Sequence, residues 1–124
     1  MTNLFTSLDK REIETSQRLL CAEHGVDFVP AQIFVNSGFA GQTEKDLPIN
    51  GLRHPLTVDT TGWYIWCGVE FSMQSDFFQP VHTGHLYEKY PELKRLLGLP
   101  PGYRFLCSGE YIDIWADPNL LHVD

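Results

Sequence analysis

Two histidines have the spacing of a possible ligand pair. His82 and His85 lie three residues apart, and near the start of a helix this spacing places two imidazoles on one face. Two imidazoles do not complete a metal site, and the sequence provides no evident third ligand. The chain also has no CxxC pair and no glycine-rich phosphate-binding motif. We therefore expect neither a metal nor a cofactor, and histidines that satisfy a helix end.

The three cysteines are the candidate nucleophiles. Cys21, Cys67 and Cys107 are widely separated, and an odd number without paired spacing does not suggest a disulfide framework. Cys67 falls in an apolar segment and Cys107 near the end of another, and burial raises a thiol's pKa and makes the thiol unreactive. We expect small buried thiols in a reducing compartment rather than a catalytic nucleophile.

Paired carboxylates are the remaining source of catalysis. Glu70 with Asp76, or Glu110 with Asp113, lie close enough in sequence to act as an acid and a base. Because the chain has 16 acidic residues in 124, chance pairs are common, and solvated or structural roles are expected. The sequence therefore predicts no catalytic residues.

An alternating segment near the C-terminus predicts a binding surface. Tyr111, Asp113 and Trp115 alternate with Ile112 and Ile114, so a strand here has one aromatic, acidic face and one aliphatic face. Aromatic side chains beside carboxylates on an accessible sheet face suit the binding of a basic protein. A core tryptophan beside an aspartate at the rim fits the same pattern and is kept as the alternative.

The net charge limits the classes of partner. Nine basic and 16 acidic residues give −7, and such a surface repels phosphate backbones and anionic lipids. Binding to nucleic acid or to a membrane surface is therefore disfavoured, and a basic protein partner is favoured. The first residues lack the pattern of a signal peptide, and no apolar stretch approaches the roughly 20 residues that span a bilayer, so we expect a cytoplasmic protein. Arg104 is expected to pair with a nearby acid.

The remaining segments predict the elements that position these residues. Hairpin-forming strands and separate helical segments indicate a single α+β domain over 1–124, with a mainly antiparallel sheet of four to six strands and helices packed on one face. The side chains expected in the structural core are Trp63, Ile65, Phe77, Phe78 and Phe105. The expected elements are a helix at 7–24 capped by Thr6 or Ser7 and ended by Gly25, an extended segment at 28–35, a long loop at 36–55, strands at 56–58 and 63–67 joined by a turn at 59–62, a short helix at 83–90, a helical turn at 91–98, and a hairpin of strands at 103–107 and 111–115.

Five sequence segments occur in an order that resembles a known family. They are GWYIWCGVE at 62–70, DFFQPVH at 76–82, HL at 85–86, GLPPGYRFL at 98–106 and YIDIW at 111–115. Over about 56–118 the chain resembles the immunity-protein-33-like domain family, whose members resemble partners of bacterial polymorphic or contact-delivered toxins, including those of type VI secretion. The resemblance implies a non-catalytic antidote that binds and blocks a cognate toxin, and it supplies no catalytic residues.

This hypothesis predicts the toxin-binding residues and leaves two alternatives open. One alternative is a small hydrolase-type enzyme that reverses toxin damage, for which Glu70, Asp76, His82 and His85 would have to converge. The other is a regulatory module that forms a homodimer through a sheet edge, so both a monomer and a homodimer are kept. The predicted contacts with a basic toxin are Glu70, Asp76, Tyr111, Asp113, Trp115 and Asp117, with 36–55 as the interface if these residues are not involved.

Overall fold

A computed structural model describes residues 9–41, 48–68 and 77–122 of the chain. Within these ranges three α-helices and six strands are arranged as one layer of helices on one sheet. In chain order the elements are α1 (Lys10–His24), β1 (Asn36–Ala40), β2 (Ile49–Arg53), β3 (Thr60–Cys67), β4 (Gln79–His82), α2 (Thr83–Lys89), α3 (Leu93–Leu96), β5 (Tyr103–Ser108) and β6 (Tyr111–Ala116), followed by a short 3₁₀ helix (Pro118–Leu121).

The first helix begins later than the sequence predicted. Asp9 is the N-cap, and its carboxylate accepts hydrogen bonds from the backbone N–H groups of Arg11 and Glu12 at 2.9 and 3.3 Å. The expected caps at 6 and 7 lie outside the described residues. Gly25 ends the helix as predicted, because its φ of 66° is the left-handed conformation that a helix C-terminus often requires.

The segment 28–55 differs most from expectation. Residues 28–35 do not form a strand, while β1 and β2 lie inside the segment expected to be a loop. Gly51 is a strand residue that pairs with Ile65 and Phe105, and the ring of Phe105 packs directly over it, so that a Cβ there would lie 2.2 Å from that ring. Glycine on its own predicts a turn, but at position 51 it permits the close approach of two strands.

The strand expected at 56–58 is absent. Leu56 is half-exposed and Val58 is 92% exposed, so neither packs against the sheet. The N–H of Thr57 donates to the carbonyl of Thr60 at 3.0 Å, which closes a turn, and β3 begins at Thr60 rather than at 63. The turn therefore spans 57–60, two residues earlier than the predicted turn at 59–62.

The sheet is mixed, with the order β4-β1-β3-β2-β5-β6 in the part of the chain that the structure describes. The β1–β3 pair is parallel, and the other four pairs are antiparallel, so antiparallel pairing predominates as predicted. β3 lies between β1 and β2 and is therefore a central strand of the described sheet. The α+β class and the sheet of up to six strands are likewise confirmed.

The two faces of the sheet are covered differently. The helix-bearing face holds the main core, in which Trp63, Ile65 and Phe105 are buried against α1, α2 and α3. Tyr64 and Trp66 point to the opposite face, as their alternation predicts. On that face they pack with Leu52, Ala40, Phe77, Phe78 and Leu120 of the 3₁₀ helix.

A buried arginine connects the segments around the core. Arg53 is 0% exposed, its guanidinium lies 5.5 Å from the ring of Trp63, and no carboxylate of the described residues forms an ion pair with it. Burial lowers its pKa to about 10, so the side chain stays charged at neutral pH. The guanidinium donates hydrogen bonds to the backbone carbonyls of Val29, Pro30, Thr61, Leu97 and Leu99.

Candidate protein-binding site

The hairpin of β5 and β6 positions the residues predicted to bind a partner. Its loop has two residues, Gly109 and Glu110, between the paired residues Ser108 and Tyr111. Gly109 has a φ of 62°, and a glycine with positive φ at the first loop position fits a tight hairpin turn of type II′. Such a short loop fixes the register, which runs without a break to Tyr103 opposite Ala116.

Alternation along β6 separates its side chains as predicted. Ile112 and Ile114 pack against the main core on the helix-bearing face. Tyr111, Asp113 and Trp115 lie on the other face and are all exposed, with 61% of Tyr111 and 38% of Trp115 accessible to solvent. The alternative of a buried tryptophan at position 115 is therefore wrong.

Arg104 contacts two side chains at the end of this surface. It lies opposite Trp115 in the register, and its guanidinium carbon is 5.6 Å from the centre of the indole ring, a cation–π distance. Its Nη1 also donates to the Oδ2 of Asp117 at 3.3 Å. The expected pairing of Arg104 with an acid is thus present. Because Asp117 is already paired, Asp113 is the more available negative charge on this surface.

A second aromatic group lies on the same face of the sheet. The ring of Phe78 contacts Tyr64 and Trp66 edge-to-face, with centroids 5.1 and 6.1 Å away. Phe77 packs against Phe78 with centroids 4.9 Å apart. Phe77 and Phe78, expected in the structural core, are half-buried and lie in this second cluster rather than in the main core.

The predicted acidic contacts Glu70 and Asp76 lie outside the described residues. Of the predicted binding residues, the structure brings together Tyr111, Asp113, Trp115 and Asp117, all on β6 or directly after it. They share their surface with Arg104, which the sequence analysis placed in an ion pair but not in the binding site.

The two histidines lie at the far edge of the sheet. His82 ends β4, His85 is in α2, and their rings are stacked with centroids 6.0 Å apart. β4 and β6 are opposite edges of the described sheet, so these imidazoles do not converge with the carboxylates of the hairpin. Within the described ranges no group of three or more His, Cys, Asp or Glu side chains could hold a metal ion.

Three groups with raised pKa values lie in the core. Burial raises the pKa of the Cys21 and Cys107 thiols, and it raises the pKa of the Tyr87 hydroxyl. Tyr87 donates to the carbonyl of Ala31 at 2.7 Å and accepts from the amide of Gln17 at 2.9 Å. Raised pKa values disfavour the nucleophilic thiolate at Cys21 and Cys107.

The hairpin surface has the composition of a protein-binding site. Exposed tyrosine and tryptophan with an adjacent arginine are the residue types that contribute most to interface affinity. Asp113 lies opposite half-buried Leu106, so a carboxylate and apolar surface are adjacent. The surface therefore has side chains that suit contact with a protein carrying basic and apolar groups.

Two features of the structure were not predicted from the sequence. One is the position of β6 at the edge of the described sheet, which depends on the pairing of distant strands and has no local signal. The other is Arg53, for which the signal was a charged residue directly after the apolar Leu52 in a segment without neighbouring acids. Arg53 lies in the main core, where it bonds to carbonyls of the segment before β1, of β3 and of the turn after α3.

A comparison with protein-family models identifies the class of protein. The model described as the Imm33-like domain matches residues 16–117. The chain belongs to the Imm33-like domain family, which is a family of immunity proteins. The predicted family is confirmed, and the match extends about 40 residues upstream of the 56–118 segment that carried the resemblance.

Other comparisons add no relatives. No curated protein and no solved structure matches the chain. In the described residues no helix has both the length and the apolar character needed to cross a membrane.

Proposed function

We propose that this protein is a non-catalytic immunity protein that binds a cognate bacterial toxin and neutralises it by direct occlusion. The observation that carries the proposal is the exposed aromatic and acidic surface of β6 on a member of an immunity-protein family. The partner is a basic toxin domain delivered by a contact-dependent or type VI system, and the two proteins meet in the cytoplasm.

The charge of the chain supports a basic partner. A net charge of −7 on 124 residues gives a negative field that accelerates encounter with a basic protein and slows encounter with acidic ones. Asp113 is exposed and places a carboxylate within the aromatic surface. An immunity protein benefits from rapid association because the toxin must be captured before it acts.

The aromatic side chains support an interface at this position. Trp115 and Tyr111 are large and well exposed, although both gain free energy from burial. Arg104 holds the indole of Trp115 from one side, which reduces the rotamer freedom that binding would otherwise remove. An exposed tryptophan with a cation beside its ring is suited to act as the anchor of the interface.

Co-expression tests the proposal directly. The toxin gene adjacent to this gene is expressed with and without the protein, and cell survival and co-purification are measured. We expect survival and a stable complex when both are present. If each neighbouring toxin kills cells that express the protein, and none co-purifies with it, the proposed function is wrong.

Titration separates occlusion from an enzymatic antidote. Toxin activity is measured in vitro against increasing amounts of the protein. Occlusion predicts that inhibition rises in proportion to the added protein and is complete near one molecule per toxin. A hydrolase that reverses damage would instead protect at amounts far below the toxin concentration, and this outcome would refute the non-catalytic mechanism.

Charge reversal locates the binding surface. Asp113→Lys should weaken toxin binding by about tenfold or more, which corresponds to about 1.4 kcal/mol. Glu23→Lys changes the net charge equally on an exposed part of α1 and is the matched control. Equal losses in both variants would indicate a general charge effect, and unchanged binding in Asp113→Lys would move the interface away from β6.

A further inference from the structure

The two edges of the described sheet differ in how they are protected from other strands. β4 has only four residues and contains Pro80, which has no N–H to offer a new strand. β6 has six residues, no proline, no lysine and an unbroken register with β5. Long regular edges without these features add strands readily. β6 is therefore the more accessible edge.

The outward backbone groups of β6 follow from the hairpin register. In a two-residue hairpin the pair that flanks the loop is hydrogen-bonded, and hydrogen-bonded pairs then alternate along the strands. The N–H of Asp117 donates to the carbonyl of Gly102 at 2.7 Å, as this alternation requires. The inward residues are thus Tyr111, Asp113 and Trp115, and the backbone groups of Ile112, Ile114 and Ala116 point away from β5.

The charges along this edge disfavour a second copy of the chain. Glu110, Asp113 and Asp117 lie at its start, middle and end. Antiparallel pairing of two copies of β6 would bring these acids close together, and each copy carries a net charge of −7. Only Asp117 has a cationic partner among them in the described residues. These acids would attract a basic strand, whereas they would repel the same acids of a second copy.

We propose that β6 binds its partner by strand addition, with an extended basic segment of that partner pairing along Ile112, Ile114 and Ala116 as a seventh strand. This inference rests on the proposed function for the identity of the partner, the cognate toxin. Alternation in the added strand places lysine or arginine beside Asp113 on one face, and apolar side chains beside Ile112 and Ile114 on the other.

A model peptide tests strand addition without the toxin. A short peptide that alternates lysine and valine is titrated into the ¹⁵N-labelled protein, and backbone amide shifts and hydrogen exchange are measured. We expect shifts and slowed exchange at the outward amides of Ile112, Ile114 and Ala116. The amides of Asp113 and Trp115, already bonded to β5, should change little. The same peptide with D-residues at alternate positions, which cannot form a regular strand, should have no such effect.

Two substitutions at one position provide a matched comparison. Ala116→Pro removes an outward N–H from an exposed edge residue and keeps the inward bonds of β6, whereas Ala116→Ser retains the N–H. Ala116→Pro should weaken peptide binding about tenfold or more relative to Ala116→Ser. If Ala116→Pro does not fold, the exchange pattern of the unmodified protein decides the question.

Several outcomes would overturn the inference. The inference is wrong if the peptide shifts only amides of other elements, or if the outward amides do not change at saturating peptide. It is also wrong if both folded Ala116 variants bind the peptide equally. Concentration-dependent dimerisation abolished by Ala116→Pro would also overturn it, because a second copy would then occupy the edge. Toxin neutralised and bound while these outward amides stay unprotected would refute strand addition and leave the proposed function intact.

Discussion

Replacement of Arg53 by methionine is the sharpest test of how this fold is held together. The side chain is fully buried and bonds to the carbonyls of three separate segments, the one before β1, β3 and the turn after α3. Arg53→Met keeps much of the aliphatic volume and removes every donor. The change in the free energy of unfolding therefore reports the loss of the hydrogen bonds rather than the creation of a large cavity.

The magnitude follows from which carbonyls lose their partners. The oxygens of Thr61 and Leu99 are bonded at 2.8 and 2.7 Å in buried positions. The oxygen of Leu97 keeps the indole N–H of Trp63 at 2.8 Å, and those of Val29 and Pro30 are only partly buried, so water can replace the guanidinium there. Two buried acceptors left unsatisfied cost about 1–3 kcal/mol each, or about 2–6 kcal/mol in all.

Removal of a buried charge offsets part of this loss. The pKa of Arg53 is lowered to about 10 by burial, so the folded protein carries a desolvation cost that Arg53→Met relieves. We expect the lost hydrogen bonds to outweigh that relief, because their acceptors remain buried. Arg53→Lys should also destabilise the fold, since one ammonium group cannot replace the planar guanidinium that spans these carbonyls.

Urea unfolding followed by tryptophan fluorescence measures the effect. A loss of about 4 kcal/mol with a slope of about 2 kcal/mol per molar urea lowers the midpoint by about 2 M. Arg11→Met, at an exposed position of α1, is the control and should stay within about 0.5 kcal/mol of the unmodified protein. An Arg53→Met variant as stable as that control would refute the assignment of these hydrogen bonds as a source of stability.

Three further predictions concern the core. Trp63→Ala should lower the free energy of unfolding by about 3–5 kcal/mol, because a fully buried indole is lost. Gly51→Ala should cost about 1–3 kcal/mol, because the new Cβ meets the ring of Phe105. Stability should fall as the pH rises above about 9, because the thiols of Cys21 and Cys107 have raised pKa values in the folded state, so the unfolded state ionises first and gains stability.

Urea midpoints and double variants check these predictions. For Gly51→Ala, adding Phe105→Leu should restore part of the loss, and purely additive effects would contradict the proposed ring contact. For the pH dependence, the buried, protonated thiols make their full contribution to the free energy of unfolding below about pH 9. That contribution decreases progressively as the pH rises further. Midpoints measured from pH 7 to 10 should decline less in Cys107→Ala than in the unmodified protein, and a flat profile in the latter would refute the argument. A Trp63→Ala variant with a normal midpoint would contradict its place in the core.

The elements predicted from the sequence are those defined by local patterns. The alternation of Trp63 and Ile65 with Tyr64 and Trp66 matches the two faces of β3, and the glycine-containing turn at 108–110 between two apolar runs predicted the hairpin. Each of these patterns involves only residues close together in the sequence. The exposed face of β6 in the candidate site follows from the same kind of alternation.

β1 and β2 could not be predicted in this way. Their sequences, NSGFA and INGLR, contain glycine, asparagine and serine, which favour loops when neighbours are ignored. They are strands because they pair with distant strands, and their glycines leave room for aromatic rings on those strands. A Cβ at Gly38 would lie 2.8 Å from the ring of Tyr64, as one at Gly51 would meet Phe105. The position of β6 at an edge depends on the same long-range pairing.

The placement of β2 also determines when the sheet can be completed during synthesis. β2 pairs with β5, and Gly51 opposite Phe105 joins residues about 50 positions apart in the chain. At a translation rate of about 5–20 residues per second, β5 is synthesised roughly 3–10 s after β2, and one side of β2 stays unpaired during that time. Folding therefore finishes only after β5 has emerged. Substitutions that weaken β5 should reduce the yield of folded protein in cells before any effect on partner binding is seen.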